Sequence, residues 1–259
     1  MTGRRLRVAV VFPDLLGTYG DGGNGLILAR RAEWRGHAVE LLQASSEAPL
    51  PEADIYCLGG GEDGPQVQAA RALTDDGRLA RRVDAGAVVL AVCAGYQIVG
   101  TSFPGADGSP HDGVGLLGIT TTKGVGPRAV GEVAAEITDD AVTLLGPQAP
   151  PTLTGFENHG GTTALSAGTI PLAGVTRGTG NGDGSGTEGA LAGHVVGTYL
   201  HGPVLARNPA LADLLLTWAL DVDTLAPLED GAEEALRRER LAPAGRVRRR
   251  RIGRRPASR

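Results

Sequence analysis

Val88-Val89-Leu90-Ala91-Val92-Cys93-Ala94-Gly95-Tyr96-Gln97 is the stretch that decides how this chain is read. An apolar, β-branched run stops at a cysteine flanked by small residues, the pattern of a buried strand turning sharply into a helix. Small neighbours are needed because the turn is tight and a reacting carbonyl must come close to the backbone. The helix that follows aims its first amides and its dipole at the sulfur, which favours the thiolate. A cysteine packed as a small hydrophobe is the competing reading of the same residues.

Outward from the elbow, strands alternate with helical patterns. Leu6 to Phe12, Ala38 to Leu42, Asp54 to Leu58 and Ala87 to Val92 read as strands. Asn24 to Arg35, ended by Gly36, reads as a helix, as does Pro65 to Asp84 with a break signalled at Asp75-Asp76-Gly77. This βαβ order predicts an α/β fold with a mostly parallel sheet and helices on both faces. From about residue 115 short strands separated by Gly and Pro take over. Arg177 to Gly189, rich in Gly, Asn, Asp and Ser, reads as a mobile loop. Asn208-Pro209 reads as the cap and first turn of a closing helix through Leu220.

A thiolate nucleophile needs a base from elsewhere in the chain. Of the five histidines, His37 follows a helix-ending glycine and His111 sits in Pro- and Gly-rich sequence, so both read as solvated. His194 opens the run to Leu200, a strand that ends at His201 before Gly202-Pro203. A histidine at a strand end beside a turn is placed to face a neighbouring strand's elbow, which makes His201 the candidate base. His159, in Phe156-Glu157-Asn158-His159, is the runner-up, with a loop-holding role as its alternative. Gly59-Gly60-Gly61 directly follows a strand but lacks the lysine and hydroxyl residue of a nucleotide loop. Its amides are suited to an oxyanion; a tight turn is the alternative. The string between Gly178 and Gly186 neither follows a clear strand nor opens a helix, so it is not read as a dinucleotide site.

The chain has 259 residues, 41% of them hydrophobic, enough for one sizeable core. No apolar run is long enough for a transmembrane helix, and no signal peptide is read at Met1. Cys57 and Cys93 form neither a disulfide framework nor a zinc spacing, and Cys57 reads as structural within its strand. A reactive thiol fits a reducing cytoplasm. The net charge of −4 hides an asymmetry: residues 237–259 hold eleven of the 25 basic residues and one of the 29 acidic ones. The rest therefore has 14 basic against 28 acidic residues, a difference of −14. The segment 223–259, acidic and then Arg-rich, reads as a disordered tail beyond a domain spanning residues 1–222. Its arginines suit an anionic membrane surface or an acidic protein, and the lack of interleaved aromatics speaks against specific nucleic-acid binding.

Cys-x-Gly-x-Gln after a strand, with a distant strand-end histidine, resembles the class I (triad) glutamine amidotransferases. Tyr19-Gly20-Asp21-Gly22-Gly23-Asn24, Cys93-Ala94-Gly95-Tyr96-Gln97, Phe156-Glu157-Asn158-His159 and Gly197-Thr198-Tyr199-Leu200-His201-Gly202-Pro203 together resemble the cobyric-acid-synthase-like branch. Within that branch they are similar to the glutaminase subunits of lipid II isoglutaminyl synthase. The resemblance implies a flavodoxin-like three-layer sandwich and a thioester mechanism on L-glutamine, with Cys93 and His201 as catalytic pair. It implies an oxyanion hole from the Gly60 and Ala94 amides, with Arg128 and Gln97 binding substrate. Arg128 suits the α-carboxylate because guanidinium pairs with it bidentately. Ala94 departs from the glycine expected there. Many triad enzymes carry an acid two residues after the histidine; here that residue is Pro203, so the acid comes from Asp21, Glu157 or a partner.

The resemblance also implies a heterodimer with a Mur-ligase-like synthetase subunit that carries ATP and magnesium and amidates D-glutamate of lipid II. No cofactor or metal is expected in this chain, and its place is the cytoplasm, at the inner face of the membrane. An amidotransferase subunit for another acceptor, in a cobyrinate-type pathway, is the alternative enzyme. A non-catalytic binding or regulatory subunit is the alternative class.

Overall fold

The computed structural model describes residues 5–241. β1 (Leu6–Val11), α1 (Gly23–Glu33), β2 (Val39–Ala44), β3 (Ile55–Leu58), α2 (Asp63–Asp76), α3 (Arg78–Asp84), β4 (Val88–Val92) and α4 (Ala94–Ile98) form the first half. Gly77, at φ 61°, separates α2 from α3 where the sequence signals a break. The second half holds β5 (Ser102–Pro104), β6 (Pro110–Asp112), β7 (Ile119–Lys123), β8 (Ala129–Ile137), α5 (Asp139–Leu145), β9 (Thr152–His159) and β10 (Gly161–Leu165). It continues with β11 (Ala173–Arg177), β12 (Thr187–Glu188), β13 (Ala190–Ala192), β14 (Val195–Thr198), α6 (Val204–Arg207), α7 (Pro209–Leu220) and α8 (Gly231–Leu241).

The central sheet runs β13-β14-β4-β3-β1-β2, parallel throughout except for β13 against β14. Strand order reverses between β1 and β3, so right-handed crossovers place α1 on one face and α2 with α3 on the other. Val88 to Val92 are all fully buried, as a parallel strand covered on both faces requires. The predicted α/β class and mostly parallel sheet are what the chain forms. Two four-stranded sheets, β10-β7-β5-β6 and β12-β11-β8-β9, build a second wall over the carboxyl ends of the central strands. Among the described residues no helix is long and apolar enough to cross a membrane.

Three local expectations are corrected. Asn208 precedes α7, but its side chain does not cap it; the amide instead joins Thr154 (N and O, 2.9 and 2.8 Å) to the Val204 carbonyl (2.7 Å). Arg177 to Gly189 is not a loose loop. Glu157 accepts from the amides of Thr179 and Gly180, and Asn181, fully buried, binds Gly189 through both its N–H and C=O. Nor is residue 223 the start of disorder. Asp230 pairs with buried Arg31, Arg35 donates to the Ala226 carbonyl, and α8 follows. A buried guanidinium demands anionic partners, and Asp213 and Asp230 supply them. The Arg-rich stretch from residue 242, for which disorder and membrane contact are expected, lies outside the described residues.

Candidate active site

Four connections leave the carboxyl ends of β1, β3, β4 and β14 and meet at the point where strand order reverses, the usual ligand crevice of such sheets. They carry Asp21, Gly59–Gly61, Cys93 and His201. Cys93 has φ 53° and ψ −104°, a conformation few non-glycine residues adopt. The elbow is held from below: the Cys93 N–H donates to the Thr198 carbonyl at 2.9 Å, and Gly95 N–H to the Gly59 carbonyl at 3.0 Å. A Cβ on Gly95 would stand 2.7 Å from the Leu58 Cβ, so only glycine lets α4 sit on β3.

His201 is buried, and its backbone pairs with Phe156 in both directions, 2.9 and 3.1 Å. Its Nδ1 lies 2.8 Å from Asp21 Oδ2. Nε2 has no conventional hydrogen-bond partner and is left for Cys93. Burial opposes protonation of the ring, but Asp21 and the nearby Cys93 sulfur outweigh it and push the imidazole up to about 10. Of the candidate acids, Asp21 therefore reaches the histidine. Glu157 does not; it is spent on Thr179 and Gly180 and lies 3.7 Å from His159. Tyr19, also at positive φ, lays its ring 4.9 Å from that of His201.

A cleft of about 150 Å³ opens beside the sulfur, bordered by Gly61, Ala94, Gln97, Arg128 and His159. The Gly60 amide does not face an oxyanion: it donates to Asp21 Oδ2 at 3.0 Å. Gly60 instead gives the pair room, since a Cβ there would stand 2.9 Å from His201 Cε1 and 3.7 Å from Cys93 Cβ. The neighbouring Gly61 borders the cleft, and Ala94 opens α4, where an N–H has no intrahelical acceptor. Gln97 lies in the wall with its amide already used, accepting from Gln66 Nε2 at 2.8 Å and donating to the Tyr199 hydroxyl at 3.1 Å. Arg128 is at the mouth, its Nη2 on the Asn158 carbonyl at 2.8 Å and its Nε on the Asn158 side chain. Asn158 donates in turn to the Tyr19 hydroxyl at 2.8 Å. His159 stacks on Tyr199 at 3.7 Å and bonds Gly161 through Nδ1. It shapes the wall and is not the partner of Asp21.

Residues 7–209 match the CobB/CobQ-like glutamine amidotransferase domain. The chain belongs to that family. The subunit GatD of lipid II isoglutaminyl synthase (glutamine-hydrolyzing) from Streptococcus pneumoniae is 34% identical over 219 residues, covering 83% of this chain and 81% of that protein. The Staphylococcus aureus GatD is 34% identical over 211 residues, covering 80% and 82%. The solved structure of PurLQS from Thermotoga maritima shares the fold, with TM-score 0.57 at 16% identity over 84% of this chain and 99% of that one. This amidotransferase thus has a class I glutamine amidotransferase fold and is related to GatD.

Elsewhere, Cys57 is buried and burial pushes its thiol up to about 12, consistent with an inert core residue. Sequence reasoning missed Gln66, Asn158 as a bridge, and Tyr19 as the cover of His201. A signal for Tyr19 and Asn158 existed in the amidotransferase's own motifs; nothing local marks Gln66.

Proposed function

We propose that this chain is the glutaminase subunit of a lipid II isoglutaminyl synthase. The observation that carries the reading is the Asp21–His201 contact of 2.8 Å, with Nε2 turned to Cys93 beside a cleft bordered by Arg128. The Cys93 sulfur attacks the side-chain amide carbon of L-glutamine, and the oxyanion is received by the Gly61 and Ala94 amides. His201, held as imidazolium, gives its proton to the departing nitrogen as the C–N bond breaks, leaving a thioester and ammonia. A water then attacks the thioester, His201 takes its proton, the C–S bond breaks, and glutamate leaves. Asp21 fixes the imidazole throughout. Arg128 turns from Asn158 to clamp the substrate carboxylate.

Ammonia released into bulk water is protonated and wasted, so the product is passed to a partner. That partner is a Mur-ligase-like synthetase that holds ATP and magnesium and amidates D-glutamate of lipid II. The relatedness to GatD supports this acceptor, and the cytoplasm as the place. The test is glutamate release by the purified chain, with a glutamine-mimicking electrophile mapped by peptide mass spectrometry. One equivalent on Cys93, none on Cys57, and no turnover in Cys93→Ala are expected. Labelling at Cys57, or turnover without Cys93, overturns the chemistry. Co-purification of a ligase that amidates another carboxylate overturns the acceptor alone.

A further inference from the structure

Three carboxylates are fully or nearly buried among the described residues: Asp21, Glu157 and Glu188. The first serves His201 and the second pins the glycine-rich segment. Glu188 has no task in the chemistry above, and a buried carboxylate is expensive to keep. Burial pushes it up to about 7, and its Oε2 has no partner. It belongs to β12 of an outer sheet, yet its Oε1 reaches the central sheet. There it accepts from the Thr198 hydroxyl at 2.8 Å and the Tyr199 N–H at 2.7 Å. The Thr198 hydroxyl in turn accepts from the Leu200 N–H at 3.0 Å. Glu188 thus fixes the last two amides before His201, one directly and one through a hydroxyl.

Thr198 also holds the other half of the reacting pair, since its carbonyl accepts the Cys93 N–H. The side chain of the next residue, Tyr199, is buried behind the cleft wall, where it bonds Gln97 and stacks on His159. Three residues therefore join the nucleophile's backbone, the substrate wall and the histidine, and Glu188 clamps them from behind. We propose that Glu188 is a positioning residue for the reacting pair, setting the placement of His201 against Cys93 through Thr198 and Tyr199. This rests on the reading of Cys93 and His201 as the pair that reacts with glutamine.

The test uses the full chain with Glu188→Ala, Glu188→Gln and Thr198→Val. Turnover and KM for glutamine are read beside the rate at which iodoacetamide alkylates Cys93 in the folded protein. Misplacing a reacting group by about 1 Å costs about 100-fold, so kcat in Glu188→Ala should fall by about that factor with KM little changed. Alkylation should slow in parallel. Glu188→Gln keeps an acceptor for both donors and should recover most of both rates. Thr198→Val, which loses only the hydroxyl link, should fall between; it carries the test with Gln if the Ala variant does not fold. A lowered melting temperature with parental kcat and alkylation rate in Glu188→Ala or Thr198→Val would reduce Glu188 to a structural staple and overturn the proposal. A parent chain that releases no glutamate refutes the glutaminase reading, while the alkylation rates still decide Glu188.

Discussion

Gly59–Gly61 and Gly178–Gly189 are both glycine-rich loops, yet they use the residue differently. In the first, absence of a side chain makes room: Gly60 lies between His201 and Cys93, and Gly59 lets the chain pass the Leu16 carbonyl. In the second, Gly178, Gly180 and Gly189 also have no room for a side chain, but glycine there supplies in addition positive φ, at 108°, 65°, 73°, 85°, 72° and 63° from Gly178 to Gly189. The resulting coil is then fastened by Glu157 and Asn181. Composition reports freedom of the unfolded chain; whether that freedom survives depends on acceptors brought from other strands.

The sharpest way to break this contrast is at the fastening of the first loop. Asp21→Asn removes the carboxylate shared by His201 Nδ1 and the Gly60 amide, and should lower kcat by roughly 10²–10⁴. It should also move the alkaline limb of the kcat profile from about 10 toward 6.5, because the imidazolium loses its partner. Stability has the same sign: a histidine raised above its unfolded value contributes fully below pH 6.5, and that contribution is lost as pH rises through about 10. Equilibrium unfolding of parent and variant across pH checks this. Next in size, Gly60→Ala should cost about 100-fold in turnover by displacing His201, with the fold retained by circular dichroism. Parental turnover there would mean the loop yields and the crowding is not functional.

In the second loop the effects belong to stability. Glu157→Gln weakens charge-assisted bonds to Thr179 and Gly180 and should destabilise by about 1–3 kcal/mol. Hydrogen exchange at those two amides should quicken. A collapse of kcat at unchanged exchange would erase the distinction between the loops. The smallest effect is expected for Gly184→Ala, where no atom lies within 4 Å and only the φ of 85° is strained. About 1 kcal/mol of stability and no change in kcat are expected, from thermal denaturation and glutamate release.

The legible part of this molecule was local. A β-branched run ending at Cys93, and a strand shortly before His201 that stops at Thr198 rather than Leu200, each announce themselves within ten residues, and so does the βαβ half. What stayed hidden depends on partners far along the chain. The carboxylate of Asp21 meets an imidazole 180 residues away, and the same carboxylate occupies the Gly60 amide that the motif alone assigns to an oxyanion. Gln97 looks free in sequence but is spent on Gln66 and Tyr199, 31 and 102 residues distant. The helix Gly231–Leu241 has no buried residue to betray it, and its anchor is an aspartate that answers an arginine in α1.

That arginine sets an order of events during synthesis. The anionic partners of Arg31, Asp213 and Asp230, leave the ribosome 182 and 199 residues after it. At about 5–20 residues per second the guanidinium waits some tens of seconds, solvated, before it can be buried. Helix α1 therefore cannot take its final seat while only the early strands exist. Since α1 begins two residues after Asp21, the seating of that helix also bears on the acid of the site. A nascent chain that already contains Cys93 thus still lacks the carboxylates that seat the helix beside its acid.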